Sequence, residues 1–476
     1  MTTRFESTVP FKISFLGAAE TVTGSRYLLE SAQSGVLVDC GLFQGYKKLR
    51  ERNWLAPGFT PAGLNAIVLT HAHLDHSGYL PVLVKGGFSG PVYCTAGTRD
   101  LLQILLPDAG YLQEEEAKLA ARLGYSKHAR PLPLFTREDA ERCLGLLQTV
   151  PYNERFRVTQ EVHGTFQRAG HIVGSATLLL ELPGRSIAFS GDVGRAHDPI
   201  MQPPAPLPAC DYLVVESTYG DRRHPSAPVM EELALTVNET AARGGAVVIP
   251  AFAVGRAQHL LHLLATLQER GQIPRVPIFL DSPMAIKATS VYREHSHEHH
   301  LSREECRRLA TVAHYASTPD ESKAIDAASG PMVVISASGM ATGGRVLHHL
   351  RRFLPESRNT VLLVGYQSPG TRGRSLEDGV PELKLHGQYV PVRAHIRKIS
   401  GLSAHADYTE LIAWLRASHI QPSRVFVTHG EPASADAMRR HLRDQLGWNA
   451  LVPDHGASYP LPTAATIEGR ADSTRP

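Results

Sequence analysis

The chain has few cysteines: Cys40, Cys94, Cys143, Cys210 and Cys306 are all that 476 residues contain. They are odd in number, widely spaced and form no Cys-x-x-Cys pair, which excludes a disulfide framework and a cysteine-based zinc site. No stretch reaches the roughly eighteen apolar residues that a membrane span needs, so no membrane partner is expected. Met1 to Phe15 mixes Arg4, Glu6 and Lys12 with polar residues and lacks the apolar core of a secretory signal. A cytoplasmic location is expected. There is no internal repeat and no marked excess of either charge: 49 Lys and Arg stand against 46 Asp and Glu, a net +3. That balance admits a polyanionic partner without demanding one. With 42% hydrophobic and 20% charged residues the composition is globular, and the length exceeds a single ordinary core, so two domains are expected.

Histidine, by contrast, is plentiful at 24 residues, and four metal-competent side chains crowd into His71-Ala72-His73-Leu74-Asp75-His76. The segment directly follows the apolar run Ala66-Ile67-Val68-Leu69-Thr70. In extended chain His71 and His73 project to one side and can share an ion, while Asp75 and His76 turn to a second. Imidazole and carboxylate suit Zn²⁺, and two ions roughly 3.5–4 Å apart can clamp both oxygens of a displacement. The segment therefore points to a two-metal hydrolase.

The rest of the first third reads as strands at Lys12–Leu16, Tyr27–Leu29, Val36–Val38 and Val92–Cys94, punctuated by glycines. Leu101 to Leu147 is helical in pattern, broken near Pro131 and Pro133. Strands return at Thr177–Leu182, Ser186–Ser190 and Tyr212–Val215, with a proline-rich connector over Met201–Pro208 suited to a surface crossing. From about residue 219 strands alternate with helices: Ala246–Ile249 and Arg256–Arg270, Ile278–Leu280 and Met284–His295, Met332–Ile335 and Gly344–Phe353, then Val361–Val364. Such alternation predicts a doubly wound, parallel α/β unit. The strand-rich style resumes with Val392–Ile399 and Val425–Thr428, so the second unit looks inserted into the first. The expected division is 1–218 and 392–465 for the outer domain, 219–391 for the insert and 466–476 for a frayed tail.

Further ligands are expected at strand ends. His171 sits between glycines in Ala169-Gly170-His171-Ile172-Val173-Gly174. Asp192 follows an apolar strand in Phe189-Ser190-Gly191-Asp192, where a carboxylate can bridge two cations. His429 ends a strand in Val427-Thr428-His429-Gly430-Glu431.

Together these positions resemble the metallo-β-lactamase fold, and its β-CASP nuclease branch in particular, over nearly the whole chain. Asp39 in Leu37-Val38-Asp39-Cys40-Gly41 is similar to the first motif of that fold, residues 71–76 to the second, His171 to the third and Asp192 to the fourth. Glu216 in Val215-Glu216-Ser217-Thr218-Tyr219, His405 in Ser403-Ala404-His405-Ala406-Asp407, and His429 resemble the three motifs peculiar to the nuclease branch. The resemblance implies an α/β architecture, an αββα sandwich carrying an inserted doubly wound β-CASP domain. It implies two Zn²⁺ per chain, one held by His71, His73 and His171, the other by Asp75, His76 and His429, with Asp192 bridging and Asp39 behind the ligands. The implied activity is a zinc-dependent ribonuclease, in which the metals lower a water's pKa to roughly 7. Asp75, Asp192, Asp39, Glu216 and His405 would carry the catalysis, His405 being held by Glu216 to protonate the leaving oxygen.

Two glycine-rich loops of the insert also resemble β-CASP nuclease loops. Ser336-Ala337-Ser338-Gly339-Met340-Ala341-Thr342-Gly343-Gly344 lies between a strand and a helix, where backbone N–H groups can hold a phosphate. Gly365-Tyr366-Gln367-Ser368-Pro369-Gly370-Thr371-Arg372-Gly373-Arg374 adds arginines and a tyrosine able to stack a base. Ser336, Ser338, Gly339, Met340, Gly370, Thr371 and Arg374 are the expected substrate contacts. Arg256 and Gln258 share the family pattern but receive no role from the sequence. The run His295-Ser296-His297-Glu298-His299-His300 is read as a solvated helix end, with Ser302 and Glu305 as a capping box for the next helix. Single-stranded RNA is the expected partner, with DNA as an alternative substrate and a homodimer as an open question of assembly. The rival functions are a small ester, thioester or lactam hydrolase on the same fold, which would not need the insert, and a non-catalytic RNA-binding subunit, which would not need every ligand position filled.

Overall fold

The structure is a computed structural model and describes residues 11–124, 128, 130–225 and 228–463. The expected tail at 466–476 lies outside the described residues, as does most of the segment from Met1 to Phe15.

Two seven-stranded sheets and helices outside them form the αββα sandwich, and a six-stranded sheet forms the insert. In the first sheet Ser458–Pro460, Lys12–Phe15, Tyr27–Glu30 and Gly35–Val38 run antiparallel, followed by parallel Ala66–Val68, Val92–Cys94 and Leu147–Thr149. The second sheet centres on Arg185–Phe189, Tyr212–Val215 and Arg424–Val427, which are mutually parallel. Their facing sides share one core. Phe15 of the first sheet meets Phe426 of the second at 5.0 Å between ring centroids, and Tyr27 meets Phe189 at 5.8 Å. Each such fully buried side chain stabilises the sandwich by roughly 1.5–3 kcal/mol. Helix Ala96–Leu123 covers the outer face of the first sheet, and Tyr408–Ala417 with Pro432–Leu446 cover that of the second.

The insert is the expected parallel unit, its strands in the order His314–Tyr315, Ile278–Asp281, Met332–Ser336, Ala246–Pro250, Thr360–Val364 and His395–Ile399. The last corrects the sequence reading. Strand pattern alone makes Val392–Ile399 the start of the returning outer domain, but the strand that forms there, His395–Ile399, pairs in parallel with Thr360–Val364, from Thr360 opposite His395 to Val364 opposite Ile399. Local composition cannot say which sheet a strand joins. The helical stretch read at Leu101–Leu147 is two helices, Ala96–Leu123 with Pro107 inside it and Arg137–Leu144, followed by the strand at Leu147.

One apolar cluster continues from the outer face of the first sheet into the insert, joining Leu101, Leu105 and Ile172 to Leu260, Leu264 and Tyr292. The junction also explains the histidine run. The capping box of Ser302 and Glu305 is present, but His295, Glu298 and His299 are buried rather than solvated. His295 Nε2 lies 2.7 Å from Asp100, and Glu298 Oε2 accepts hydrogen bonds from the Tyr152 hydroxyl and the Gly174 N–H. The run is a clasp between insert and sandwich.

Candidate metal centre

The expected ligands follow strand ends in both sheets, Ala66–Val68 in the first and His163–Arg168, Arg185–Phe189 and Arg424–Val427 in the second, and converge. Asp39 follows Gly35–Val38 with φ at 56°, and His429 follows Arg424–Val427 with φ at 50°. Such left-handed backbone is uncommon outside glycine and turns each side chain sharply off its strand. Asp75 and His76 lie in a single helical turn, Leu74–Ser77. That turn is pinned by Ser25 and Leu42, whose N–H groups donate to the Asp75 and Leu74 carbonyls. Gly41 permits the approach: a Cβ there would stand 1.6 Å from the Asp75 carbonyl oxygen.

Two clusters result, each with donor atoms within 4.8 Å of one another: His71, His73, His171 and Asp192, and Asp75, His76 and His429. His73 Nδ1 lies 3.1 Å from His71 Nε2 and 3.3 Å from His171 Nε2; His76 Nε2 lies 3.1 Å from His429 Nε2. Asp192 divides its oxygens, Oδ2 lying 3.4 Å from His71 Nε2 and Oδ1 3.1 Å from His76 Nε2.

These residues fit zinc. Tetrahedral Zn–N bonds of about 2.0–2.1 Å place neighbouring nitrogens roughly 3.4 Å apart, close to the spacings found. Among the described residues Asp192 Oδ1 is buried and makes no hydrogen bond of good geometry, although His76 Nε2 is 3.1 Å away. Burial lowers His71, drives His171 well down and takes His73 to about 3, so their imidazoles are neutral and can ligate. Burial opposes charge on Asp75 and Asp192 too, yet the surrounding histidines hold both carboxyls below their usual range. The remaining ring nitrogens are oriented: His76 Nδ1 by Asp39 at 2.8 Å, His71 Nδ1 by Thr70 at 3.2 Å and His429 Nδ1 by Thr218 at 3.0 Å. Asp39 in turn accepts from the Thr70 N–H and hydroxyl.

Beside the clusters His405 Nδ1 lies 3.0 Å from Glu216 Oε2, and its Nε2 faces Asp192 Oδ2 at 3.9 Å. Burial disfavours the imidazolium, but the Glu216 and Asp192 carboxylates outweigh it and raise His405 to about 9. Glu216 is itself fixed by the Val193 N–H and the Thr218 hydroxyl. The His405 backbone is fixed by His224, whose Nε2 is 2.8 Å from its carbonyl oxygen.

Thr70, Thr218 and His224 escape the sequence reading. The signal for the two threonines is adjacency, a small hydroxyl within two residues of an expected ligand or acid; His224 has none.

The substrate loops are less uniform. Ser336 is fully buried with its hydroxyl donating to the Asp281 carbonyl, so it packs the sheet and is unavailable as a substrate contact. The Thr371 hydroxyl caps its own helix through the Arg374 N–H, and the Arg374 side chain pairs with Asp378 at 2.8 Å. Met340 is buried, and Gly339 lies against Phe252, where a Cβ would stand 2.6 Å from the ring. Ser338 accepts from the Thr342 N–H, and Gly370 stays exposed beside Tyr46.

Comparison with known proteins identifies the family. Residues 21–220 match the metallo-beta-lactamase superfamily, 257–376 the Beta-Casp domain and 389–453 the Zn-dependent metallo-hydrolase RNA specificity domain. The chain is 39% identical to Ribonuclease TTHA0252 of Thermus thermophilus over 442 residues, covering 91% of this chain and 95% of that protein. It is 32% identical to transcription termination factor FttA of Methanocaldococcus jannaschii over 459 residues, 91% of this chain and 70% of that one. A crystal structure of a protein of unknown function from Enterococcus faecalis shares the fold at a TM-score of 0.54 and 14% identity, with 95% of this chain and all of that one covered. No helix among the described residues is long and apolar enough to cross a membrane. The chain belongs to the β-CASP family of the metallo-β-lactamase superfamily and is a metal-dependent hydrolase.

Proposed function

We propose that the protein is a ribonuclease that hydrolyses phosphodiester bonds of single-stranded RNA with two zinc ions per chain. The observation that carries the count is Asp192, whose two oxygens turn to separate clusters of donors. The RNA specificity match and the relative named as a ribonuclease support the substrate.

When bound, zinc would lower the pKa of a water to roughly 7 and offset charge on the phosphoryl oxygens. His71, His73 and His171 would hold one ion, Asp75, His76 and His429 the other, and Asp192 both. Asp39 keeps His76 in a single orientation by accepting a hydrogen bond from its Nδ1–H. His405, protonated and steered by Glu216, donates from Nε2 to the leaving oxygen. Thr218 ties this acid to the metal ligands, since its hydroxyl meets both Glu216 and His429.

In this reading the insert runs from about residue 219 through the strand ending at Ile399, and the sandwich resumes after it. A reducing, cytoplasmic location suits five cysteines that are all free and buried. The test is incubation of zinc-loaded protein with end-labelled single-stranded RNA and DNA. Cleavage of RNA in preference to DNA is expected, and product ends give polarity and mode. Turnover of a lactam or thioester without RNA cleavage would refute the proposal.

A further inference from the structure

Arg256 opens the helix Arg256–Glu269 of the insert and is only 8% exposed. Among the described residues its guanidinium has no hydrogen-bond acceptor or ion-pair partner, and its Nε is buried outright. Arg185 also leaves a buried Nη1 without a partner, but its Nε donates to the Pro183 carbonyl, and three further arginines are satisfied. Arg26 donates from Nε and Nη2 to the Gly41 carbonyl at 2.9 and 2.8 Å, Arg345 pairs with Asp281, and Arg195 bonds the Gly401 carbonyl and Glu410. Asp198 is the carboxylate whose charge acts on Arg256, yet its Oδ1 accepts the N–H groups of Ile200 and Met201. A buried charge without a partner is strongly disfavoured.

The position of Arg256 relates it to the metal centre. A Cβ on the preceding Gly255 would lie 3.1 Å from Ile172, the neighbour of His171 in sequence. One on Gly365 would lie 3.9 Å from Arg256 Nε; the next residue, Tyr366, has its ring 6.2 Å from Tyr219, which lies 6.3 Å from His405. The Arg256 helix start thus lies beside the segment that carries His171, and its Nε beside the Gly365–Tyr366 loop, whose tyrosine leads through Tyr219 towards His405. Gln258 holds the loop that presents it, donating to the Ala253 and Ala285 carbonyls and to Thr289. The helix adds its positive pole.

We propose that Arg256 is the anchor for a backbone phosphate of the nucleic-acid strand, next to the scissile one, gripped through its planar fork. The inference rests on the RNA reading above and adds a subsite to it. Gln258 is then a positioning residue for that subsite.

The test measures the dissociation constant of a single-stranded RNA oligonucleotide over a range of salt concentrations, in the full chain carrying Asp75→Ala so that RNA stays uncut. Arg256→Gln is expected to weaken binding about ten- to a hundredfold and to reduce the slope of log affinity against log salt by about 0.7. Arg256→Lys should restore the slope but not the affinity, because an ammonium lacks the fork. The melting temperature should hold or rise, since a costly buried charge has gone. Unchanged affinity and slope in Arg256→Gln overturn the proposal, as does a lowered melting temperature in both variants with the slope intact, which assigns Arg256 to packing. If the chain with Arg256 intact neither binds RNA nor, with Asp75 restored, cuts it, the RNA reading itself fails, a result seen in the controls alone.

Discussion

His405→Ala removes the proposed acid and leaves the metal donors in place. His405 belongs to neither donor cluster of His71, His73, His171 and Asp192 or of Asp75, His76 and His429, and its Nδ1 is committed to Glu216. A positioned general acid contributes about a hundred- to ten-thousandfold, so kcat on RNA should fall by that factor, equivalent to roughly 3–5 kcal/mol of barrier. Zinc content should not change. Glu216→Gln should cost less, because an amide oxygen can still accept from Nδ1 while the charge that favours the imidazolium is lost. The discriminating assay pairs RNA with an activated aryl phosphodiester, whose nitrophenolate leaves without a proton. The His405→Ala loss should shrink to less than about tenfold on the aryl substrate, the proton-transfer part of the barrier having vanished. Equal losses on both substrates, or loss of zinc, would refute the assignment of His405 as acid.

Asp75→Ala or His429→Ala should abolish RNA cleavage while circular dichroism and much of the RNA affinity persist; wild-type rates in both would count against the ligand set. Gly41→Ala puts a methyl group 1.6 Å from the Asp75 carbonyl oxygen, so it should displace the Leu74–Ser77 turn and lower both zinc content and activity. In the insert, buried His349 lies 2.7 Å from Asp281 and 2.6 Å from Asp326, which overcome burial and raise it from 6.5 to about 9. A folded-state value above the unfolded one means stability that is fully present below pH 6.5 and lost as pH rises through about 9. The upper bound is about 3 kcal/mol. Denaturant midpoints from pH 6 to 10 should fall in wild type and flatten in His349→Gln; parallel profiles would refute the linkage.

Metal chemistry makes much of the site legible in the amino-acid sequence. With no cysteine pair present, zinc donors are sought among His, Asp and Glu at strand ends, and by that criterion residues 71–76, His171, Asp192 and His429 stand out against ordinary loops. The α/β alternation of the insert is legible for a similar reason, since buried parallel strands read as continuous apolar runs. What stays hidden depends on partners remote in sequence. Residues 395–399 look like any strand until Thr360–Val364 lies beside them. Glu298 reads as a surface acid, yet Gly174 and Tyr152 bury it. Ser336 belongs to a phosphate-like glycine loop, but its hydroxyl faces the Asp281 carbonyl across the sheet. Arg256 carries a recognisable pattern without a meaning, because an unmet charge is visible only once every neighbour is in place.

The central claim is a two-zinc site that cuts RNA. Its most direct test is to strip the protein with chelator, titrate zinc back and follow cleavage of end-labelled single-stranded RNA against zinc bound per chain. Activity should be absent at the start and reach its plateau at two zinc ions per chain. Cleavage that survives chelation, or that saturates at one ion, would contradict the account.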